Sequence, residues 1–246
     1  IQYLYYLAGA VLALTAIATF TDRSNPKRVS SGLFWGLYAL VFLVGDQLPP
    51  LWVGVGAVAM ALIAGFGGVA GGQHKSPSVA EYAASAKRLG NKLFAPALAI
   101  PLVTLVGVLA GPWLRWGETV LIEPRHATLI ALGLACVIAL LAAMHVTRAP
   151  LKTGLGEGRR LLDALGWAAL LPMLLATLGS VFATTGVGDA ISAIVGALIP
   201  IDSRLACLLA FALGMVLFTV IMGNAFAAFP VLMAGVGLPL LVIHHG

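Results

Sequence analysis

Two short stretches hold most of the residues that could do chemistry. The first, residues 180–189, reads Ser-Val-Phe-Ala-Thr-Thr-Gly-Val-Gly-Asp. The second, residues 219–225, reads Thr-Val-Ile-Met-Gly-Asn-Ala, and Pro230 and a Gly235-x-Gly237-x-Pro239 run follow it. Both stretches interrupt strongly apolar sequence. Lipid supplies no hydrogen bonds, so irregular backbone at membrane depth is tolerated only where protein covers it or where it lines a wet cavity. Ser180, Thr184, Thr185, Thr219 and Asn224 would supply neutral hydrogen bonds. Gly186, Gly188, Gly223 and the following Ala225 would let backbone come close to a solute. A helix restarting after either break would point its free amides, and their partial positive charge, at an anion. No Arg or Lys lies near these positions, so an anion there would be met by dipoles, amides or a co-transported cation. Asp189 has two readings. It is an ion ligand, as an ionisable group at membrane depth implies, or it is the N-cap of the helix that begins at Ala190. A kinked packing helix is the plain alternative for the second stretch, because Gly and Pro are common in membrane helices.

Other chemistry is poorly supplied. The histidines are His74, His126, His145, His244 and His245, and none stands at a metal-ligand spacing from another ligand. No His-Glu-x-x-His or Gly-x-Ser-x-Gly motif occurs, and no two carboxylates face each other on one helix. An enzyme is therefore not expected, nor a metal site, nor a cofactor beyond a coupling Na+ or H+. Cys136 and Cys207 each lie in an apolar run and read as buried packing residues rather than as a disulfide framework.

The elements that must carry these residues are membrane helices. Of 246 residues, 61% are hydrophobic and only 9% are charged, against about a quarter charged in soluble domains. Mean hydropathy is +1.03. The fold class expected is all-α: a polytopic transmembrane helical bundle, a single transmembrane domain over residues 1–246, with a re-entrant hairpin and a discontinuous helix. Apolar runs at residues 3–21, 32–45, 51–69, 93–109 and 127–144 read as five spans, and Pro96 and Pro101 should bend the fourth. The first run has no basic segment before it and no small-residue cleavage site after it, so it reads as a true span rather than a signal peptide. Ser78 with Glu81 fits a capping box opening a short amphipathic interfacial helix, although a plain surface loop fits almost as well. Residues 145–160 read as a basic, glycine-bearing loop, with Glu157 and Asp163 solvated near it.

Residues 165–184 are long enough to reach deep into a bilayer. The arm after Asp189, residues 190–199, is not: about ten to thirteen helical residues span under about 20 Å, against about 30 Å of hydrocarbon. The chain is expected to enter the membrane, turn over residues 184–189 and leave on the same side; a tilted short span would give the same sidedness.

Charge sets the orientation. The turns after the first, third and fifth spans hold eleven Lys and Arg, whereas those after the second and fourth hold only Arg115 and Arg125. By the positive-inside rule the basic turns are cytoplasmic and the N-terminus is external. The formal charge of +5 is thereby a topology signal, and no nucleic-acid partner is expected.

Residues 178–192 are similar to the hairpin segment of gluconate and dicarboxylate permeases of the ion transporter superfamily. More closely, Arg23-Ser-Asn-Pro-Lys27, Phe34-Trp-Gly36, Gly45-Asp-Gln-Leu-Pro-Pro50, Arg88-Leu-Gly-Asn-Lys-Leu-Phe94 and Met222-Gly-Asn-Ala-Phe-Ala-Ala-Phe-Pro230 resemble a bacterial family long labelled a domain of unknown function. Its members are described as the larger subunit of a two-subunit 5-oxoproline (pyroglutamate) transporter. The resemblance spans essentially the whole chain. It implies a secondary transporter of a small organic anion in the bacterial cytoplasmic (inner) membrane. It also implies a smaller membrane subunit that supplies the other half of the permease. Family members run past the position of Gly246, so part of the solute site is expected beyond it. The competing expectation is a structural or assembly subunit whose polar breaks only pack against a partner.

Overall fold

A computed structural model describes residues 1–73, 78–113, 115–116, 119–120, 124–223 and 225–245. Its fold class is all-α and polytopic, as expected. The only strands among the described residues are the two-residue pair Arg115–Trp116 and Thr119–Val120. The chain divides into two compact units, Ile1–Gly166 and Trp167–Gly246.

In the first unit α1 (Gln2–Thr21) and α2 (Arg28–Val44) form an antiparallel pair. Phe34 and Trp35 are completely buried, ring edge to ring face with centroids 5.0 Å apart. Gly9 lies under Leu43 and Gly32 under the Phe20 ring, each too close to accept a Cβ. Small residues let helix backbones approach where lipid offers no hydrophobic driving force between helices. The same device joins α5 (Phe94–Ala110) to α6 (Ala127–Thr147). Ala131, Ala135 and Ala139 form a buried stripe at four-residue spacing, and a Cβ on Gly107 would stand 2.7 Å from that of Ala131. Ala135→Leu should therefore overpack this seam and cost about 1–3 kcal/mol. A melting temperature in detergent equal to the wild type would contradict it.

The outer faces agree with a lipid environment. Leu14, Ile17, Leu98, Leu105, Leu134 and Leu141 are each about half exposed or more on helices with no charged side chain beside them. α3 (Pro50–Gly65) has 16 residues, about 24 Å at helical rise, so the third span is shorter than its apolar run and falls short of a full crossing. Of the two prolines expected to bend α5, Pro96 sits in the first turn, where no amide is needed; only Pro101 interrupts the ladder. Cys207 is buried, but Cys136 is exposed on α6, contrary to the packing role expected of both.

The capping box forms. Ser78 opens α4 (Val79–Leu89), its hydroxyl accepting from the Glu81 amide at 3.3 Å while the Glu81 carboxylate accepts from the Ser78 amide at 2.7 Å. Residues 145–160 are not the expected loop. From Leu151 the chain is helical, α7 (Leu151–Leu165), in spite of Gly154, Gly156 and Gly158. Leu151, Leu155, Leu161 and Leu165 are all exposed. They give this polar helix an apolar side suited to a membrane interface, where burial would offset a glycine cost of about 1 kcal/mol each.

α7 also carries Arg159 to the turn between α1 and α2. Its Nη2 donates to Asp22 at 2.5 Å, and its Nε lies 3.7 Å from Asp163. Asp163 is not solvated as expected: its side chain is 3% exposed. Gly71 and Gly72 thread past Asp163 and Asp22 with no room for a Cβ. The α1–α2 turn grips the rest of that segment. Asn25 Nδ2 donates to the Ala70 carbonyl at 2.6 Å, Ser31 Oγ accepts from the Ala70 amide at 2.9 Å, and Ser24 Oγ accepts from the Gln73 amide at 2.9 Å. The Ser24 hydroxyl, and after it Arg159, hold the Asp22 carboxyl down to about 2 against the opposing effect of burial. A depressed carboxyl stabilises the fold fully above its ordinary value of 3.8, and that stability is lost as pH falls toward 2. Arg159→Gln should remove a charged hydrogen bond worth about 1.5–3 kcal/mol and flatten the acid limb of stability between pH 4 and 2. Melting curves across that range check it; an unchanged acid limb would mean that the clasp carries none of it.

Candidate functional site

The second unit holds both chemistry-bearing stretches. A 3-10 turn, Gly166–Leu170, leads into α8 (Leu171–Thr185), and α9 (Val187–Leu198) follows with one residue between them. That residue is Gly186, at φ 69, in the left-handed region that a side chain disfavours. The turn is thus one residue rather than the six expected, and α9 starts three residues early. Its 12 residues reach about 18 Å, so the short second arm is present. This corrects the capping role of Asp189. Gly186 occupies the N-cap, and Asp189 is an exposed residue in the first turn of α9, where a carboxylate favours the helix dipole.

α10 (Arg204–Met222) is capped by Ser203, whose hydroxyl accepts from the Ala206 amide at 3.3 Å. It ends at Gly223, also left-handed at φ 68. Helix resumes as α11 (Ala225–Leu232). Asn224 lies outside the described residues. The discontinuous helix expected around residue 223 is therefore present in its flanks. The Gly-x-Gly-x-Pro run is no second break. Residues Met233–Ile243 continue as a π-helix, whose i→i−5 register absorbs Pro239 and carries on to the His244 amide bonded to the Pro239 carbonyl at 3.2 Å.

The unit is packed around Cys207, Leu232, Val236 and Leu240, with Ile191, Phe211 and Met215 against them. α9 lies on the π-helix at glycines from both sides. Gly235 takes the Ile191 side chain, and a Cβ on Gly188 would stand 2.6 Å from the Ala234 carbonyl oxygen. Gly188, named above as a place where backbone could meet solute, here meets the π-helix backbone.

Thr184 and Thr185 are exposed at the end of α8. Their hydroxyls donate back to their own helix, Thr184 to the Ser180 and Val181 carbonyls at 3.1 and 3.0 Å, and Thr185 to the Val181 carbonyl at 2.7 Å. Ser180 is exposed, and Thr219 is half-buried on α10. Alongside α8 and α11 runs a cavity of about 1110 Å³. Its lining includes Leu175, Gly179, Met215, Phe229, Pro230 and Ala234, all apolar, and it reaches Ala225. Ala225 is the only residue read from the sequence as a site residue that borders it among the described residues. The cavity wall was not legible beforehand, because apolar residues on five elements give no local signal that they leave a space.

Six helical stretches among the described residues are long and apolar enough to cross a membrane: Gln2–Thr21, Arg28–Gln47, Val79–Ala110, Ala127–Thr147, Leu151–Phe182 and Arg204–Ile221. With two helix interruptions at left-handed glycines, the molecule is a multi-pass α-helical membrane protein. It belongs to the family described as "Protein of unknown function (DUF979)", whose model matches residues 2–246. No curated protein and no solved structure matches the chain.

Proposed function

We propose that this chain is the solute-translocating subunit of a secondary transporter for a small organic anion, with 5-oxoproline the first solute to try. The observation that carries the proposal is the pair of left-handed glycines, Gly186 and Gly223, each ending one apolar helix just before another begins. Such half-helix starts are where transporters hold anionic groups, and alternating access moves the surrounding helices about them. Ser180, Thr184, Thr185, Gly186, Thr219, Gly223, Asn224 and Ala225 are the proposed solute positions, with Asp189 proposed to bind a coupling Na+ or H+. No other cofactor and no enzymatic step are part of the proposal. A smaller membrane subunit completes the permease, in a bacterial inner membrane. The test is uptake of radiolabelled 5-oxoproline and related acids into proteoliposomes, with and without co-purifying membrane subunits. Saturable uptake above empty liposomes supports the reading; no uptake of any small organic anion in either preparation counts against it.

A structural or assembly role is the second reading. It is favoured by the hydroxyls of Thr184 and Thr185, which are engaged by their own helix, and by Gly188, which is closed against Ala234. Under that reading, variants at these positions change assembly and leave specific uptake per folded complex intact.

The orientation proposed, N-terminus outside, has its own check. Single cysteines in a chain with Cys136 and Cys207 replaced should label from outside in residues 115–125 and stay protected in residues 23–28 and at Arg148. Labelling of the residue 23–28 turn from outside intact cells would reverse the topology.

A further inference from the structure

A second, separate pocket lies in the first unit, at the end of α6. It has a volume of about 600 Å³ and is lined by Lys92, Met144, His145, Val146, Arg148 and Ala149. Lys92 comes from the 3-10 turn Gly90–Leu93 that joins α4 to α5 and packs on α6. His145 is in the last turn of α6 and Arg148 is its C-cap. Among the described residues no carboxylate lines the pocket. The acids on the elements around it are engaged elsewhere: Glu81 by Ser78, Glu157 by Arg160 at 2.6 Å, and Asp163 beside Arg159. Among the described residues neither Lys92 nor Arg148 has an ion pair.

Two further features turn this from a charge cluster into a shaped site. Arg148 is at φ 55, the only non-glycine residue with positive φ among the described residues. Such a conformation is uncommon outside glycine and asparagine, and where it occurs it invites a functional explanation. Two of the carbonyls at this helix end, which would repel an anion, are answered by backbone. Met144 O accepts from the Ala149 amide at 3.1 Å, and His145 O from the Arg148 amide at 3.3 Å. Beside the pocket, α5 and α6 offer bare apolar surface at Phe94, Leu98, Leu140 and Leu141.

We propose that this pocket binds a phosphate-bearing anion, with Lys92 and Arg148 taking the phosphate oxygens and His145 at its edge. The occupant is the headgroup of an anionic phospholipid or a free phosphate. Basic pockets beside membrane helices suit anionic headgroups, and the apolar flank of α5 and α6 would receive acyl chains. The proposal is independent of what the second unit transports.

The test uses the full chain in detergent, with dioctanoyl phosphatidylglycerol, dioctanoyl phosphatidylcholine and inorganic phosphate as probes, and bound lipid counted by native mass spectrometry. Phosphatidylglycerol should bind saturably, at least about tenfold tighter than phosphatidylcholine, a difference within the reach of one or two charged hydrogen bonds. Arg148→Gly keeps the left-handed backbone and removes the charge. It should weaken phosphatidylglycerol about tenfold with no fall in melting temperature, as should Lys92→Gln, whereas Arg148→Lys should retain much of the binding. Lys87→Gln, outside the pocket, should change nothing. Inorganic phosphate that displaces the lipid supports the site with a free anion as occupant; failure to displace it supports the site with the lipid as occupant. Equal binding of the two lipids would overturn the proposal. So would phosphatidylglycerol binding unchanged in the Lys92→Gln, Arg148→Gly double variant, or a loss in Lys87→Gln as large as in Arg148→Gly.

Discussion

Gly188→Val should prevent α9 from docking on the π-helix. The new Cβ would lie 2.6 Å from the Ala234 carbonyl oxygen, a backbone atom that cannot rotate out of the way. In the π register the amide five residues on from Ala234 would belong to Pro239, which has none. Separating the two elements would therefore expose a carbonyl that local backbone at Pro239 cannot answer. Gly235, on the facing side, is already filled by Ile191, so the helices have no slack to slide. Overpacking in a core costs about 1–3 kcal/mol and more where backbone must move. For Gly188→Val the expected cost is above about 3 kcal/mol, and for Gly188→Ala it is near the lower end. Folded yield and melting temperature should fall in the order glycine, alanine, valine. Normal folded yield in Gly188→Val, with uptake alone lost, would return Gly188 to the solute and contradict the packing seen here.

The second large effect is expected at the other break, and it should be functional rather than structural. A Cβ on Gly223 would meet nothing within 4 Å among the described residues, so its φ of 68 is the constraint they show. Left-handed backbone costs an L residue roughly 1–2 kcal/mol and asparagine less. Gly223→Asn should accordingly fold and insert close to the wild-type level, with Gly223→Val below it. Asn224 lies outside the described residues, between Gly223 and the start of α11. If its side chain meets an anionic solute, Asn224→Leu removes a hydrogen bond to a charged group worth about 1.5–3 kcal/mol, or roughly ten- to a hundredfold in affinity. Asn224→Asp should be worse, because it sets a negative charge against an anion. Uptake normalised to membrane-inserted protein separates these outcomes from simple loss of the protein. Wild-type specific uptake in Asn224→Leu would remove this residue from the site.

Much of this architecture was written in local pattern. The capping box at Ser78 needs only four residues to be recognised, and those residues make both of its bonds. The short arm after the hairpin was visible because length in an apolar run converts directly to reach across a bilayer. The interruptions at Gly186 and Gly223 were legible because glycine beside polar residues breaks an otherwise apolar run. What escaped was non-local or masked by composition. Three glycines in eight residues hid α7, although Leu151, Leu155, Leu162 and Leu165 already held helical spacing. Asp163 read as solvated because nothing near it in sequence reveals that Gly71 and Gly72, some ninety residues earlier, pass against its carboxyl and that of Asp22. Gly235, Gly237 and Pro239 carried no sign of the wider helical register that takes the chain through them. The motif Arg23-Ser-Asn-Pro-Lys27 carried a family resemblance with no physical role attached. Its role here is to hold residues 67–73 by side-chain hydrogen bonds to their backbone.

The proposed transport role requires that the turn at Gly186 face a solute path. It is tested most directly at Thr185, which is exposed one residue before the turn. Thr185→Cys would be made in the full chain with Cys136 and Cys207 replaced by alanine, kept in native membranes with whatever subunits accompany it. Its rate of alkylation by a charged maleimide would be followed with and without a transported anion. A solute path at the turn predicts measurable labelling that a transported anion slows in a saturable way, at concentrations that also saturate uptake. Labelling at one rate whatever solute is present, alongside active uptake, would contradict it and place the solute path elsewhere.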